Sequence, residues 1–339
     1  MLYLQIILVS LFSLLILNFI TKKKNFLITR IRTPHQQLAG TSNIPQVGGL
    51  ILMINILFLY NAFSLNELFF YILILIIGIL SDVDIVSSPI KRLSFQIIIV
   101  LGFVYLSDLY IDDLRVEFLN KIFFYNEIKY IFITFCFLIL INGANFIDGC
   151  DGLSIGYFLI ALVVILITVN RYDLIFDQTK MNIIILTALI LFILNLARLI
   201  YLGDSGAYLL AFVVGVISIN FYMTNKHISP YFIAILLWYP SFENLFSIIR
   251  KKIQKINAMN PDTYHFHQLL YKFLKTKIKK FCNPLSSMII LIYNFSTSYF
   301  SIRFYTETKI LILFLLMNVI VYLIFYKILN NYLKNNLQE

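Results

Sequence analysis

Charge is scarce in this chain: only 13% of its 339 residues are Asp, Glu, Lys or Arg, against 60% hydrophobic and 16% aromatic. Soluble domains carry roughly 25% charged residues, so a water-soluble fold is excluded and the chain belongs in a bilayer. Acids are the scarcer sign, 17 against 27 Lys and Arg, which leaves a formal net charge of +10. Cysteine is nearly absent. Cys136, Cys150 and Cys282 show no paired or metal-like spacing and read as packing residues. The four histidines do not supply clustered third and fourth ligands, so no zinc site is expected. No Gly/Ser linker, repeat or low-complexity stretch divides the chain, and one domain over 1–339 is expected. The first apolar segment lacks the preceding basic region and the small-residue cleavage pattern of a signal peptide. Lys22, Lys23 and Lys24 follow it instead, and it reads as a retained helix.

What is present in quantity is long hydrophobic runs. A membrane span needs roughly 17 to 25 residues, and apolar segments of about that size recur at 3–20, 47–64, 67–80, 93–107, 129–142, 153–170, 181–200, 207–223, 228–247, 286–302 and 309–328. The expected fold is all-α, a multi-pass integral membrane protein of about eleven helices. Assigning the connections to alternate sides gathers most Lys and Arg on one side, while Asp108, Asp112, Asp113, Glu117 and Glu127 lie on the other. Basic connections stay cytoplasmic, which puts the N-terminus outside the cytoplasm and the C-terminus within it.

Every unusual polar cluster falls in the connections assigned to the basic side: PQVGG at 45–49, SDVDIVSSPIK at 81–91, NGANFIDGCDG at 142–152, GDSGAY at 203–208 and PDTYHFH at 261–267. Random loops would scatter between both faces. In the third cluster Asn145, Asp148 and Asp151 follow at three-residue intervals, and acids at membrane depth are costly enough to be read as functional. A helical path would hold these three within about 120° of arc. Gly149 and Gly152 argue instead for a locally opened helix end, tolerated only beside protein or water. Ionised together, Asp148 and Asp151 repel unless a cation sits near them.

In order, spacing and content these clusters resemble the polyprenyl-phosphate N-acetylhexosamine-1-phosphate transferases, relatives of the enzyme that makes the first peptidoglycan lipid intermediate. NxxDGxDG, GDxGA and PDxxHxH carry the resemblance, which spans almost the whole chain. It implies transfer of a sugar 1-phosphate, from a UDP-sugar carrying an N-acetylhexosamine or derivative, to a polyprenyl phosphate such as undecaprenyl phosphate. UMP is released, a cell-envelope glycan such as O-antigen is initiated, and magnesium (or manganese) is needed. The implied location is a bacterial cytoplasmic membrane with the site on its cytoplasmic face. No nucleic-acid partner is implied, and the number of copies is left open, a homodimer included.

Joining two phosphates brings negative charges together, and magnesium meets this with oxygen ligands from one or two carboxylates plus the phosphates themselves. Asp204 is the expected ligand, with Asp151 beside it, and Gly203 and Gly206 let the backbone approach closely. Asp82, Asn145, Asp148 and Asp151 are the candidate catalytic residues. Lys91, Gly203, His265 and His267 are the candidate substrate contacts, the histidines by resemblance to the family's nucleotide-diphosphate contacts. On a helix these two rings would diverge; on an extended loop, as Pro261 favours, they would share a side.

The chain also departs from the family pattern. Ser81 stands where a second Asp is usual, Gln46 where PRxGG has Arg, Gly40 where a His is common, and Gln268 where a third His often follows. Arg30 and Arg32 are nearby substitutes for the missing charge, whereas His35 and His227 fit no motif position. One role proposed for the Asp pair is deprotonation of the lipid phosphate. A phosphate monoester has its second pKa near 6 and is roughly nine-tenths ionised at pH 7, so Ser81 is compatible with direct attack, Asp82 orienting the phosphate or the metal. Glu243, an acid in an apolar stretch, should face the cleft or a cationic partner, and Pro240 should break or kink its helix. The competing classes are a multi-pass transporter, whose polar residues should lie at midplane and on both faces, a noncatalytic scaffold, and an inactive homologue marked by Ser81.

Overall fold

Residues 2–24, 26–28, 44–257, 262–278 and 280–336 are described by the structure, a computed structural model; Arg30, Arg32, His35, Gly40 and Pro261 lie outside them. The described chain is helical, with two isolated β-bridges, Ile28 to Pro45 and Gln46 to Tyr201. Its helices are α1 (Leu2–Lys24), α2 (Gly48–Phe58), α3 (Leu65–Asp82), α4 (Pro89–Leu106), α5 (Glu117–Ile122), α6 (Asn126–Ile147) and α7 (Leu153–Arg171), then α8 (Gln178–Leu196), α9 (Gly203–Thr224), α10 (Pro230–Leu236), α11 (Trp238–Ile253), α12 (Phe266–Lys277), α13 (Cys282–Ser301) and α14 (Thr308–Asn336). Among the described residues nine helices are long and apolar enough to cross a membrane, or ten when the bent pair α10–α11 counts as one span. This is a multi-pass membrane protein. The expectation of about eleven spans included 47–64, where the α-helix ends at Phe58. Its 11 residues rise only about 16 Å, half of a ~30 Å hydrocarbon layer.

Local signals set the helix ends. Ser64 and Glu67 form a capping box at the start of α3, satisfying amides that have no intrahelical acceptor. Pro89 and Pro230 open α4 and α10, where a missing N–H costs nothing. Asp177 caps α8 through Thr179 N. Leu237 separates α10 from α11, and the two axes bend by 76°. Pro240 lies three residues on; it cannot donate to Leu236, so the helix cannot run through. The freed groups are retaken by one side chain: Tyr157 Oη donates to Leu236 O at 2.8 Å and accepts from Tyr239 N at 3.2 Å. Irregular backbone at membrane depth requires such partners.

α9 is the axis of the bundle, buried along most of its length and packed against α2, α3, α6 and α7. Small residues allow the approach, as is usual between helices in lipid. A Cβ on Gly78 of α3 would lie 2.2 Å from Ser205 Cα, and one on Gly143 of α6 would lie 2.1 Å from Pro240 O. α1 and α14 stand at the periphery with rows of exposed apolar side chains, Leu8, Phe12, Leu15 and Phe19 on one and Leu313, Leu316, Ile320 and Ile324 on the other. At the end opposite the polar clusters, Arg115 donates to the carbonyls of Lys226, His227, Ile228 and Thr306, and Lys180 meets the buried Glu67 at 2.7 Å. These contacts clamp the loops there.

Candidate active site

The C-terminal end of α3, the start of α4, the α6–α7 turn and the N-terminus of α9 converge on Asp204. A strap, Pro45–Gly49, closes one side: Gly48 N donates to Tyr201 O and Tyr201 N to Pro45 O. Gly203 opens α9 with φ +75, a left-handed conformation that side chains resist, and a Cβ there would lie 2.9 Å from Asp82 Oδ2.

Asp82 fills the place this creates. Its Oδ1 accepts from Asp204 N at 2.7 Å and its Oδ2 from Ser205 N at 3.1 Å, so a carboxylate sits on the positive end of α9. With both oxygens so engaged, Asp82 fixes the orientation of Asp204. The Asp204 side chain is itself held by three donors. Asn145 Nδ2 donates to Oδ1, Ser81 Oγ donates to Oδ2, and Arg92 Nη1 lies 3.0 Å from Oδ2. Arg92 also donates to Ser81 Oγ at 2.6 Å. Ser81 therefore stands between cation and carboxylate, donating a hydrogen bond to Asp204 and accepting one from Arg92.

Arg92 is the basic residue at this site, whereas Lys91, expected there from the sequence, is exposed. The reason is helical phase: one residue along α4 turns a side chain by 100°, and Arg92 faces α3 and α9. Farther along α4, buried Gln96 accepts from Asn142 Nδ2 at 2.8 Å and fixes α4 against α6.

The α6–α7 turn is a locally opened helix end, as its glycines indicated, with Gly152 at φ +76. Cys150 packs beside Ser286. The turn separates its two acids. Asp148, just past α6, faces Asp204 and Asp82, and burial together with their charges and that of Asp151 holds its carboxyl well above the ordinary range. Asp151 is buried and paired with Arg198, Nε to Oδ2 at 2.8 Å. Its amide donates to Asn283 Oδ1 at 2.7 Å, and the amide of Gly152 to Asn195 Oδ1. These contacts give Asp151 an anchoring part in the turn. Arg198, Asn195 and Asn283 belong to no cluster singled out from the sequence; the RLIYLGD context of Arg198 was the available signal.

The histidine loop reaches the same turn. His265, in extended conformation, precedes α12, and His267 lies in its first turn; the rings are nearly parallel with centroids 5.8 Å apart. Phe146 lies 5.0 Å from the His265 ring, and a Cβ on Gly149 would be 2.8 Å from His267 Nε2. Both ring nitrogens of His267 are buried without a hydrogen-bond partner, and burial pushes the imidazole down to about 3, so it is neutral. An orphaned buried donor and acceptor facing a polar turn is a place for a ligand. Glu243 meets the His265 imidazole, with Oε1 2.9 Å from Nδ1.

Among the described residues no three His, Cys, Asp or Glu side chains are grouped to hold a metal by themselves. Magnesium does not need such a cage, since one or two carboxylates plus phosphates and water suffice. Asp204 with Asp148 nearby offers hard oxygen donors in a field of like charge that a cation relieves, and this donor set fits the ion.

Residues 64–222, which include Ser81, Asp82, Arg92, Asn145, Asp148, Asp151 and Asp204, match the family model of glycosyl transferase family 4. Over these residues, a little under half of its length, the chain is similar to that family. A probable undecaprenyl-phosphate N-acetylglucosaminyl 1-phosphate transferase of Bacillus subtilis (strain 168) is 25% identical over 327 residues, 93% of this chain and 88% of the relative. An undecaprenyl-phosphate alpha-N-acetylglucosaminyl 1-phosphate transferase of Thermotoga maritima is 24% identical over 77% of this chain and 78% of its own. A decaprenyl-phosphate N-acetylglucosaminephosphotransferase of Mycolicibacterium smegmatis is 29% identical over 39% of this chain and 37% of its own. Glu243 and the histidine loop lie beyond residues 64–222, yet the loop packs onto the NFIDGCDG turn through Gly149 and Phe146.

Proposed function

We propose that this chain, acting as one membrane-embedded unit, transfers a sugar 1-phosphate from a UDP-sugar to a polyprenyl phosphate and releases UMP. The carrying observation is the Asp204 cluster: a carboxylate at the head of the central helix, preorganised by Asn145, Ser81 and Arg92, with Asp148 near enough to feel its charge and His267 against Gly149 of the same α6–α7 turn. An oxygen of the ionised lipid phosphate attacks the sugar-bearing phosphorus of the donor. The new P–O bond forms as the bond to the bridging oxygen breaks, and that oxygen leaves with UMP. The nucleophile is already a dianion near neutral pH, so no base is required, and a serine at 81 is consistent with the step.

Asp204 and Asp148 would hold magnesium (or manganese), which supplies charge neutralisation for the phosphates. Arg92 is placed to bind a phosphate oxygen, with Ser81 orienting it. Asp82 keeps Asp204 aimed, and His265 and His267 receive the nucleotide half. The Lys22–Lys24 run at the end of α1 and the Arg250–Lys252 run of α11 support a cytoplasmic site. The relatives' names support an N-acetylhexosamine as the sugar, and a product of this kind would start a cell-envelope glycan such as O-antigen in a bacterial inner membrane.

The test uses the purified full chain with undecaprenyl phosphate, magnesium and a panel of UDP-sugars, following UMP release and the mass of the lipid product. A lipid diphosphate-sugar is the expected product. Folded protein that releases no UMP from any donor overturns the reading in favour of an inactive homologue, and donor uptake without UMP favours a transporter.

A further inference from the structure

Helix α14 reaches the His265 ring through a buried acid. Glu243 of α11 is 1% exposed and accepts three hydrogen bonds. Its Oε1 lies 2.9 Å from His265 Nδ1 and 3.3 Å from Phe266 N, and its Oε2 takes the hydroxyl of Tyr322 at 2.8 Å. A carboxylate in this place only accepts, so His265 carries its proton on Nδ1 and turns Nε2 to the side of Asp262. Asp262 Oδ1, at 3.7 Å from Nε2, is beyond hydrogen-bond length, and that nitrogen remains available to a ligand. Asp262 itself is drawn to Arg250 at 2.9 Å.

Tyr322 lies on α14, 79 residues from Glu243 in sequence, and is 3% exposed. Phe242, Phe246, Phe266 and Tyr326 pack around its ring, leaving its hydroxyl one direction in which to donate. The rotamer of Glu243 is thus fixed from the side of α14, and the His265 ring, stacked on His267, takes its orientation from Glu243. Orienting partners of this kind set the tautomer and aim of an imidazole.

We propose that Tyr322 is a positioning residue for nucleotide-sugar binding, acting through Glu243 on His265. The inference rests on the reading of this site as one that receives a UDP-sugar.

The experiment measures kcat, donor KM and acceptor KM, together with UDP affinity by calorimetry, for the full-length wild type, Tyr322→Phe and Tyr326→Phe. Tyr322→Phe keeps the ring and removes only the hydroxyl. It is expected to raise donor KM and UDP Kd about fivefold, the scale of one hydrogen bond to a charged group felt through an intermediary. Acceptor KM, kcat and melting temperature should stay near wild type. Tyr326→Phe, the same change one turn along α14, should alter none of them. Unchanged donor KM and UDP Kd in Tyr322→Phe overturn the inference, and so does a parallel loss of donor affinity, acceptor affinity and melting temperature, which would mark mere packing. A wild type that neither turns over a UDP-sugar nor binds UDP overturns the functional reading itself, a result distinct from both.

Discussion

Arg92 Nη1 lies 3.0 Å from Asp204 Oδ2 and 2.6 Å from Ser81 Oγ, so a cation from α4 and a carboxylate from α9 meet through the hydroxyl of α3. Arg92→Ala should therefore lower turnover about a hundredfold, as loss of one preorganised charge-stabilising donor does. Lys91→Ala should lower it by no more than about fivefold, the ceiling for an exposed charge. Initial rates of UMP release measure both, and equal losses would show that either cation serves.

Ser81 offers a separable test. Ser81→Ala strips Arg92 of an acceptor and Asp204 of a donor, and should reduce kcat about tenfold, one hydrogen bond to charged partners. Ser81→Thr keeps the hydroxyl and should restore most of it. Wild-type kcat in Ser81→Ala would mean that the bridge has no part in turnover.

The two acids named together as metal ligands should part company. Asp204→Asn is expected to cut turnover at least about a hundredfold and to move the magnesium titration upward. Asp151→Asn should leave the magnesium midpoint in place and lower the melting temperature, because Arg198 loses its partner. Arg198 is 37% exposed, so the penalty should be about 1–2 kcal/mol, below the 3–5 of a fully buried broken pair. A magnesium midpoint that shifts in Asp151→Asn and not in Asp204→Asn would reverse the assignment.

Acid should destabilise the protein through His267. Its folded value, about 3, lies below the ordinary 6.5 because of burial. Between those values the unfolded chain binds a proton that the folded chain refuses, so stability rises with pH, by up to about 1.4 kcal/mol per unit. Melting temperature should fall from pH 7 to pH 5, and His267→Gln, which does not titrate, should flatten the fall. The same slope in both proteins would remove His267 from the account.

The membrane class, the helical fold and the identity of the polar clusters were legible in the chain itself. Apolar length and scarcity of charge are one-dimensional properties, and glycine with aspartate in short runs marks where helices open. The expected meeting of the clusters held: NFIDGCDG lies against GDSG through Asn145 and Asp204, and against the histidine loop through Gly149 and Phe146. Partners within that meeting were not legible. Whether Lys91 or Arg92 turns inward depends on where Pro89 starts α4 and how α4 rotates against α3. Whether Asp151 faces the cleft or Arg198 depends on a left-handed turn at Gly152. That Tyr322 reaches Glu243 depends on α14 packing beside the break at Leu237. Composition and spacing determine which residues are costly to place in a bilayer; only packing in three dimensions decides which charge meets which, because that choice turns on a helical phase of 100° per residue and on contacts a few ångströms long.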